Sequence, residues 1–171
     1  EETASLPWQA DYKTVATEAD LAELVRQLQQ QQLIAVDTET TSLDALQADL
    51  VGYCFAWQAG EAFYVPVRAP EGEPQLEPAL VAGALRKVLE DPLVKKVGQN
   101  LKYDKTVLRS AEIELQGIAF DTMIADYLLE AGQREHNLDA LSRKYLGHQT
   151  ISFRELVGSS RDQKRIDEIP V

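Results

Sequence analysis

Two carboxylates, Asp37 and Glu39, lie near the end of the stretch 33–43, LIAVDTETTSL. The four residues before Asp37 are apolar, a run short enough for a buried strand. Residues two apart in a strand point to the same face, so the two acids are expected to meet in one place. At about 4 Å and an effective dielectric of about 20, two such anions repel by roughly 4 kcal/mol. A hard divalent cation, which prefers oxygen ligands, would relieve that repulsion. A polar strand end with two solvated acids is the plainer alternative. A second group lies at 97–104, VGQNLKYD, where a strand exit at Gly98 precedes a helix. Asn100 and Asp104, four apart, share a helical face; an ordinary capped helix with a surface aspartate is the alternative there.

The elements that must position these groups follow from periodicity and caps. Residues 12–15 form a short edge strand. Thr17 and Asp20 form a near capping box, and the helix they open carries Leu21, Leu24, Val25 and Leu28 on one face. Residues 50–57 and 62–67 read as strands joined by a hairpin turn at 58–61, and 68–78 as a surface loop. A helix over 79–89 points Leu80, Ala84, Leu85, Val88 and Leu89 inward. A strand over 93–97 leads through Gly98 to a helix capped by Asn100 and running to Arg109. A strand over 118–120 is followed by a helix that Asp121 caps and that ends at Leu129. Asn137 caps a last helix that stops at Gly147. Asp126 and Glu130, four apart, read as a solvated face. His136 and His148 read as surface histidines, since neither has metal-ligand spacing to a partner. Trp8 and Trp57 have no assignable role, and residues 1–10 read as a linker. Helices alternating with strands after a hairpin predict a mixed α/β sheet with helices on its faces. Ligands in such sheets gather at the C-terminal ends of strands, where Asp37 and Glu39 fall.

Composition bounds the rest. The chain has 171 residues and 44% hydrophobic content, enough for one domain with a real core. No apolar run has the length of a membrane span, so no membrane partner is expected. The single cysteine, Cys54, excludes an internal disulfide; it reads as a small core residue, and a reducing cytoplasm fits it. The net charge of −11 argues against a free-standing nucleic-acid binder, which relies on Lys and Arg. It leaves room for a nuclease in which cations stand between acidic site and phosphate.

Four stretches together resemble the proofreading 3′–5′ exonuclease domain of family A DNA polymerases, the bacterial DNA polymerase I type. They are AVDTETTSL around Asp37, VGQNLKYDKTVL around Asp104, GIAFDTMIADYLL around Asp121, and HNLDALSRKYLGHQTISFREL over 136–156. The resemblance covers nearly the whole chain from Tyr12 onward. It implies a ribonuclease H-like α/β fold. It also implies that Asp37, Glu39 and Asp104 hold two divalent cations, Mg²⁺ or Mn²⁺, for a two-metal hydrolysis that releases 5′ mononucleotides. Glu39 would help position the attacking water. The substrate implied is the 3′ end of single-stranded DNA. Leu43 matches a leucine that wedges against the terminal bases, and Phe153 an aromatic that stacks near them. Gln99, Asn100 and Tyr103 match polar residues near the terminal nucleotide. Arg134 matches a phosphate-contacting arginine, although its spacing to His136 differs. A covalently linked polymerase domain and a cytoplasmic, nucleoid-associated location are implied as well.

The sequence departs from this family in one respect. The family carries a tyrosine followed four residues later by aspartate on a C-terminal helix, and no Tyr-x-x-x-Asp occurs after Phe153. The tail offers Asp162, Asp167 and Glu168 but no tyrosine. Residues 1–171 are therefore expected to form a single exonuclease domain truncated before that helix, with impaired catalysis. Two rival functions stay open: a non-catalytic exonuclease-like scaffold of a polymerase, and an RNase D-like processor of RNA 3′ ends.

Overall fold

The stretch bearing Asp37 and Glu39 is a central strand of a six-stranded mixed sheet. A computed structural model describes residues 10–158 and 163–171; Trp8, Asp162 and most of the linker region lie outside the described residues. The strands are β1 (Asp11–Thr14), β2 (Leu33–Thr40), β3 (Leu50–Ala56), β4 (Glu61–Pro66), β5 (Lys95–Gly98) and β6 (Ile118–Asp121), in the spatial order β1-β4-β3-β2-β5-β6. β2, β3 and β4 form an antiparallel meander. β1 joins β4 in parallel, and β5 and β6 continue in parallel beyond β2. The expected hairpin and edge strand are therefore present. The strand expected from Leu93 begins instead at Lys95, because the Asp91 side chain accepts from Leu93 N at 2.8 Å and holds a turn there.

Two helices cover the core. Helix α1 (Glu18–Leu28) starts at Thr17, whose hydroxyl accepts from Asp20 N, and buries Leu21, Leu24 and Leu28. Such a cap is worth about 1 kcal/mol. Helix α2 (Pro78–Leu89) is capped by the Glu77 carboxylate and buries Val81, Ala82, Leu85, Val88 and Leu89. They pack with Ile34, Val36, Tyr53, Phe55 and Val65 of the sheet. Leu80, expected inward, is exposed. Apolar residues cover more than half of this helix, so periodicity alone does not fix its inner stripe, and the row Val81-Leu85-Val88 takes it. Trp57 packs on the core and stacks on Phe63, with ring centroids 4.6 Å apart.

The second half of the chain departs further from expectation. Helix α3 (Leu101–Ser110) is not capped by the Asn100 side chain; Asn100 adopts the left-handed conformation at φ 59°. Asp121 supplies the cap from across the sheet, accepting from Asn100 N at 3.1 Å and Leu101 N at 2.7 Å. The same carboxylate caps helix α4 (Thr122–Leu129) through Met123 N and Ile124 N. The predicted helix from Asn137 to Gly147 starts and stops as expected. Between them, however, α5 (Leu138–Leu141) gives way to a π-helical turn, Ser142–Leu146. Helix α6 (Phe153–Val157) opens on a capping box of Ser152 and Glu155. The tail ends in a 3-10 turn, Ile166–Glu168, near β2.

Candidate functional site

Strand alternation sets the first half of the site. Ile34 and Val36 point into the core, and Thr38 continues that row while Asp37 and Glu39 face the other side. In the β2–β3 register Asp37 lies opposite Cys54 and Glu39 opposite Gly52. Directly paired residues share a face, and ligand atoms of Asp37, Glu39 and Cys54 lie within 4.8 Å of one another. Cys54 is thus no core residue: it stands half-buried beside two carboxylates. Sequence periodicity alone misses it, and only the strand register brings it there.

Asp104 approaches from α3. It is almost fully buried, at 2% exposure, and accepts from the Thr38 hydroxyl at 2.7 Å. Two adjacent β2 residues, Asp37 and Thr38, thereby border the space that Asp104 enters from the strand end. Gly98 makes this approach possible: a Cβ there would lie 2.7 Å from the Val36 carbonyl oxygen and 2.6 Å from Leu101 Cδ2.

The acids perturb one another. Desolvation by the surrounding protein, then the charges of Asp104 and Glu39, push the Asp37 carboxyl up to about 7, although the residue is exposed to solvent in the cleft. Burial and Asp104 raise Glu39. Burial raises Asp104 also, against the opposing hydrogen bond from Thr38. The Cys54 thiol is driven well above its usual range by burial and by all three acids. A set of oxygen donors that cannot all ionise comfortably suits a divalent cation.

Around these groups opens a cleft of about 1170 Å³ that contains every residue singled out from the sequence: Asp37, Glu39, Leu43, Gln99, Asn100, Tyr103, Asp104, Arg134 and Phe153. Leu43 is 99% and Phe153 57% exposed, large apolar groups left in water on the cleft wall. Gln99 is engaged with protein, donating to the His136 carbonyl at 2.7 Å and pairing with the Thr122 hydroxyl. The Tyr103 hydroxyl is bonded to Thr40 and to the Ser42 carbonyl, so it ties α3 to the segment that carries Leu43. Gln163, Lys164, Arg165 and Ile166 border the cleft from the tail. Of the tail acids, Asp167 is paired with Arg165 at 3.0 Å and Glu168 accepts from Arg165 N.

One wall of the cleft rests on a polar hub that sequence reading misplaces. Asp126, expected in solvent, is 3% exposed. It accepts from the Tyr145 hydroxyl at 2.6 Å and Lys144 Nζ at 2.9 Å, and it bonds His136 Nδ1 at 2.6 Å. Those partners hold its carboxyl far below the usual range, Lys144 first. His136 is no surface residue, its side chain being 13% exposed, and Glu130 pairs with Lys144 at 3.0 Å; His148 is half-buried. Lys144 and Tyr145 both belong to the π-helical turn, a distortion that recurs at functional sites. Helix α4 is consequently inverted, with Asp126 inside and Ile124, Tyr127, Leu128 and Leu129 exposed. The acids' i, i+4 spacing looked like a solvated face because their partners lie 10 to 19 residues away.

With this geometry in hand, the chain can be set beside known proteins. A family model described as 3′–5′ exonuclease matches residues 12–169. DNA polymerase I of Pseudomonas aeruginosa is 44% identical over 174 residues, covering 98% of this chain and 19% of that protein. DNA polymerase I of Synechocystis is 38% identical over 172 residues, covering 96% and 17%. The chain thus spans about a fifth of the length of these curated relatives. Among solved structures, the POL domain of Pol1 from M. smegmatis with DNA primer-template and dNTP matches with a TM-score of 0.66 at 22% identity, over 81% of this chain and 23% of that one. RNase D of Trypanosoma brucei with RNA U12 matches with a TM-score of 0.69 at 17% identity, over 84% and 49%. The structural likenesses show the ribonuclease H-like α/β fold. The sequence matches show the family, and the chain belongs to the 3′–5′ exonuclease domains of bacterial DNA polymerase I.

Proposed function

We propose that this domain removes nucleotides from the 3′ end of single-stranded DNA as the proofreading part of a cytoplasmic, nucleoid-associated DNA polymerase. The observation that carries the reading is the shared cleft: three carboxylates that line it, two of them raised by the charge of Asp104, and exposed Leu43 and Phe153 on its wall. Asp37, Glu39 and Asp104 would hold two divalent cations, Mg²⁺ or Mn²⁺, and their donor chemistry fits hard cations. When bound, such cations supply the positive charge that activates water and steadies a departing 3′ oxygen. The protein does the rest. Leu43 and Phe153 clasp the terminal bases without reading their identity. Asn100 faces the terminal nucleotide, and Arg134 meets a phosphate. Gln99 and Tyr103 serve the same end by holding the walls at their spacing. Glu39 orients the attacking water.

No Tyr-x-x-x-Asp follows Phe153 within residues 1–171, and on this reading these residues by themselves hydrolyse DNA slowly, from three carboxylates rather than four. The inverted α4 supports a linked polymerase domain: large apolar groups on one helix face call for a covering neighbour.

The experiment is digestion of 5′-labelled single strands with Mn²⁺ present. Slow shortening from free 3′ ends, blocked by a 3′ cap and abolished by Asp37→Ala with the fold retained, is the expected outcome. No shortening and no Mn²⁺-dependent rise in melting temperature would favour the scaffold role. Faster loss of RNA than of DNA would favour RNA processing.

A further inference from the structure

Beside the cleft lies a second groove, about 680 Å³, between the segment 130–135 and the α5–π-helical segment. Arg134 and Glu135 border both spaces, so the two adjoin. Arg143 lies farther along the second groove. Among the arginines of the described residues, Arg26, Arg68, Arg86, Arg109 and Arg165 each pair with a carboxylate. Arg134 and Arg143 do not, and neither does Arg154, the neighbour of Phe153 on α6. In a chain of net charge −11, arginines left without a carboxylate are the exception, and two of these three, Arg134 and Arg143, line the cleft or the groove beside it.

We infer that the groove is the exit path of the strand. Resting on the reading above, a single strand seated by its 3′ end passes Arg134 and runs toward Arg143, which receives an upstream phosphate. The guanidinium is suited to this because its planar fork meets phosphate oxygens in pairs. The other charges of the groove are mixed. Lys144 is shared by Asp126 and Glu130, so it offsets only part of their charge and is not free for a phosphate. On the far side of Arg143, Asp139 accepts from the Thr150 hydroxyl and Glu155 from Ser152. Both keep their charge, and with Glu135 they oppose the strand, so the path depends on Arg134 and Arg143. Cationic side chains that follow the backbone are the usual partner of a stacking site for terminal bases.

The test uses the full 171-residue chain with Mn²⁺ and fluorescent oligothymidylates of three and twelve nucleotides, each ending in a phosphorothioate that resists hydrolysis. Anisotropy is read at several salt concentrations. Arg143→Ala should weaken the twelve-mer and leave the three-mer unchanged. It should also shallow the twelve-mer's slope of log affinity against log salt by about 0.7, the share of one phosphate in a single strand. Arg143→Lys should restore the slope. Binding of both oligonucleotides, with Arg143→Ala indistinguishable from wild type, overturns the path and leaves the cleft reading standing. Equal weakening of both lengths also overturns it, since Arg143 would then act through the cleft. Failure of wild type to bind either length overturns the cleft reading and the path with it.

Discussion

Changing Asp37 to asparagine should stabilise the metal-free protein at neutral and alkaline pH. Its carboxyl is carried from its ordinary 3.8 to about 7 by burial and by Asp104 and Glu39. For a fully enclosed group that displacement corresponds to about 4 kcal/mol, at 1.36 kcal/mol per tenfold change in proton affinity. Asp37 is exposed to solvent in the cleft, and screening reduces the figure to about 1–2 kcal/mol at most. The sign follows from proton counting. Between about pH 4 and 7 the folded protein holds a proton that the unfolded chain has released, so stability falls as pH rises through that window. The full penalty is present above about pH 7, and none of it below about pH 4. Asparagine stays neutral throughout, and its side-chain oxygen can still accept from the Thr38 N–H that faces the carboxylate. Thermal melting in EDTA at pH 8 should therefore show the variant higher by about 2–8 °C, given roughly 2–4 °C per kcal/mol at this chain length. At pH 4 the two proteins should melt together. Added Mn²⁺ should invert the order at pH 8 by stabilising only the protein that retains the ligand. A variant less stable than wild type at pH 8 in EDTA, or a gap that persists at pH 4, would refute the argument that mutual repulsion shapes this site.

Three further outcomes are expected. Gly98→Ala should cost about 1–3 kcal/mol, because the new methyl meets the fixed Val36 carbonyl; calorimetry checks it, and an unchanged melting temperature would mean that β5 shifts freely. Phe153→Ala should weaken single-strand binding about tenfold, since base stacking is worth roughly 1–3 kcal/mol; equal affinities in an anisotropy titration would remove Phe153 from the binding surface. Asp126→Asn should melt lower than wild type at pH 7, with the deficit fading as pH falls below about 4. A carboxyl held low by its partners contributes stability above its unfolded pKa and loses it as acid protonates the folded form. A deficit constant across pH would show that the Asp126 charge does not anchor the hub.

Local signals were legible where one residue or one period decides the outcome. The Thr17 cap, the hairpin after Trp57, the break at Gly98 and the stop at Gly147 are all of this kind. The nine residues that the motif resemblance names line one cleft, and naming them did not need the fold. What escaped depends on distant partners. The Asp121 carboxylate caps α3 from 20 residues away, which displaced the role given to Asn100. Asp126 is inside because Lys144, Tyr145 and His136 arrive from the next segment to satisfy it; buried charges persist only when so paired. Cys54 joins the acids through strand register, and a one-residue slip would have turned it to the other face. Likewise, the π-helical turn has no period of its own to read in eleven residues.

The net charge of −11 measures how much charge the chain carries, not where a strand would meet it. On the proposed reading the strand meets three carboxylates whose charge the cations offset, two large apolar groups, and a few arginines that no carboxylate neutralises. If Arg134, Arg143 and Arg154 each met one phosphate, the salt slope would reach only about −2, at 0.7 per contact. Electrostatics of that size gives weak affinity for the middle of a strand. Stacking on Leu43 and Phe153 and coordination of the terminal phosphate must then supply most of the binding, and both require an end whose bases have left the duplex. A paired terminus must first lose its stacking and pairing, which costs a few kcal/mol and least at a mismatch. An acidic surface thereby favours the frayed end over the duplex: a strongly cationic one would bind both and discriminate less.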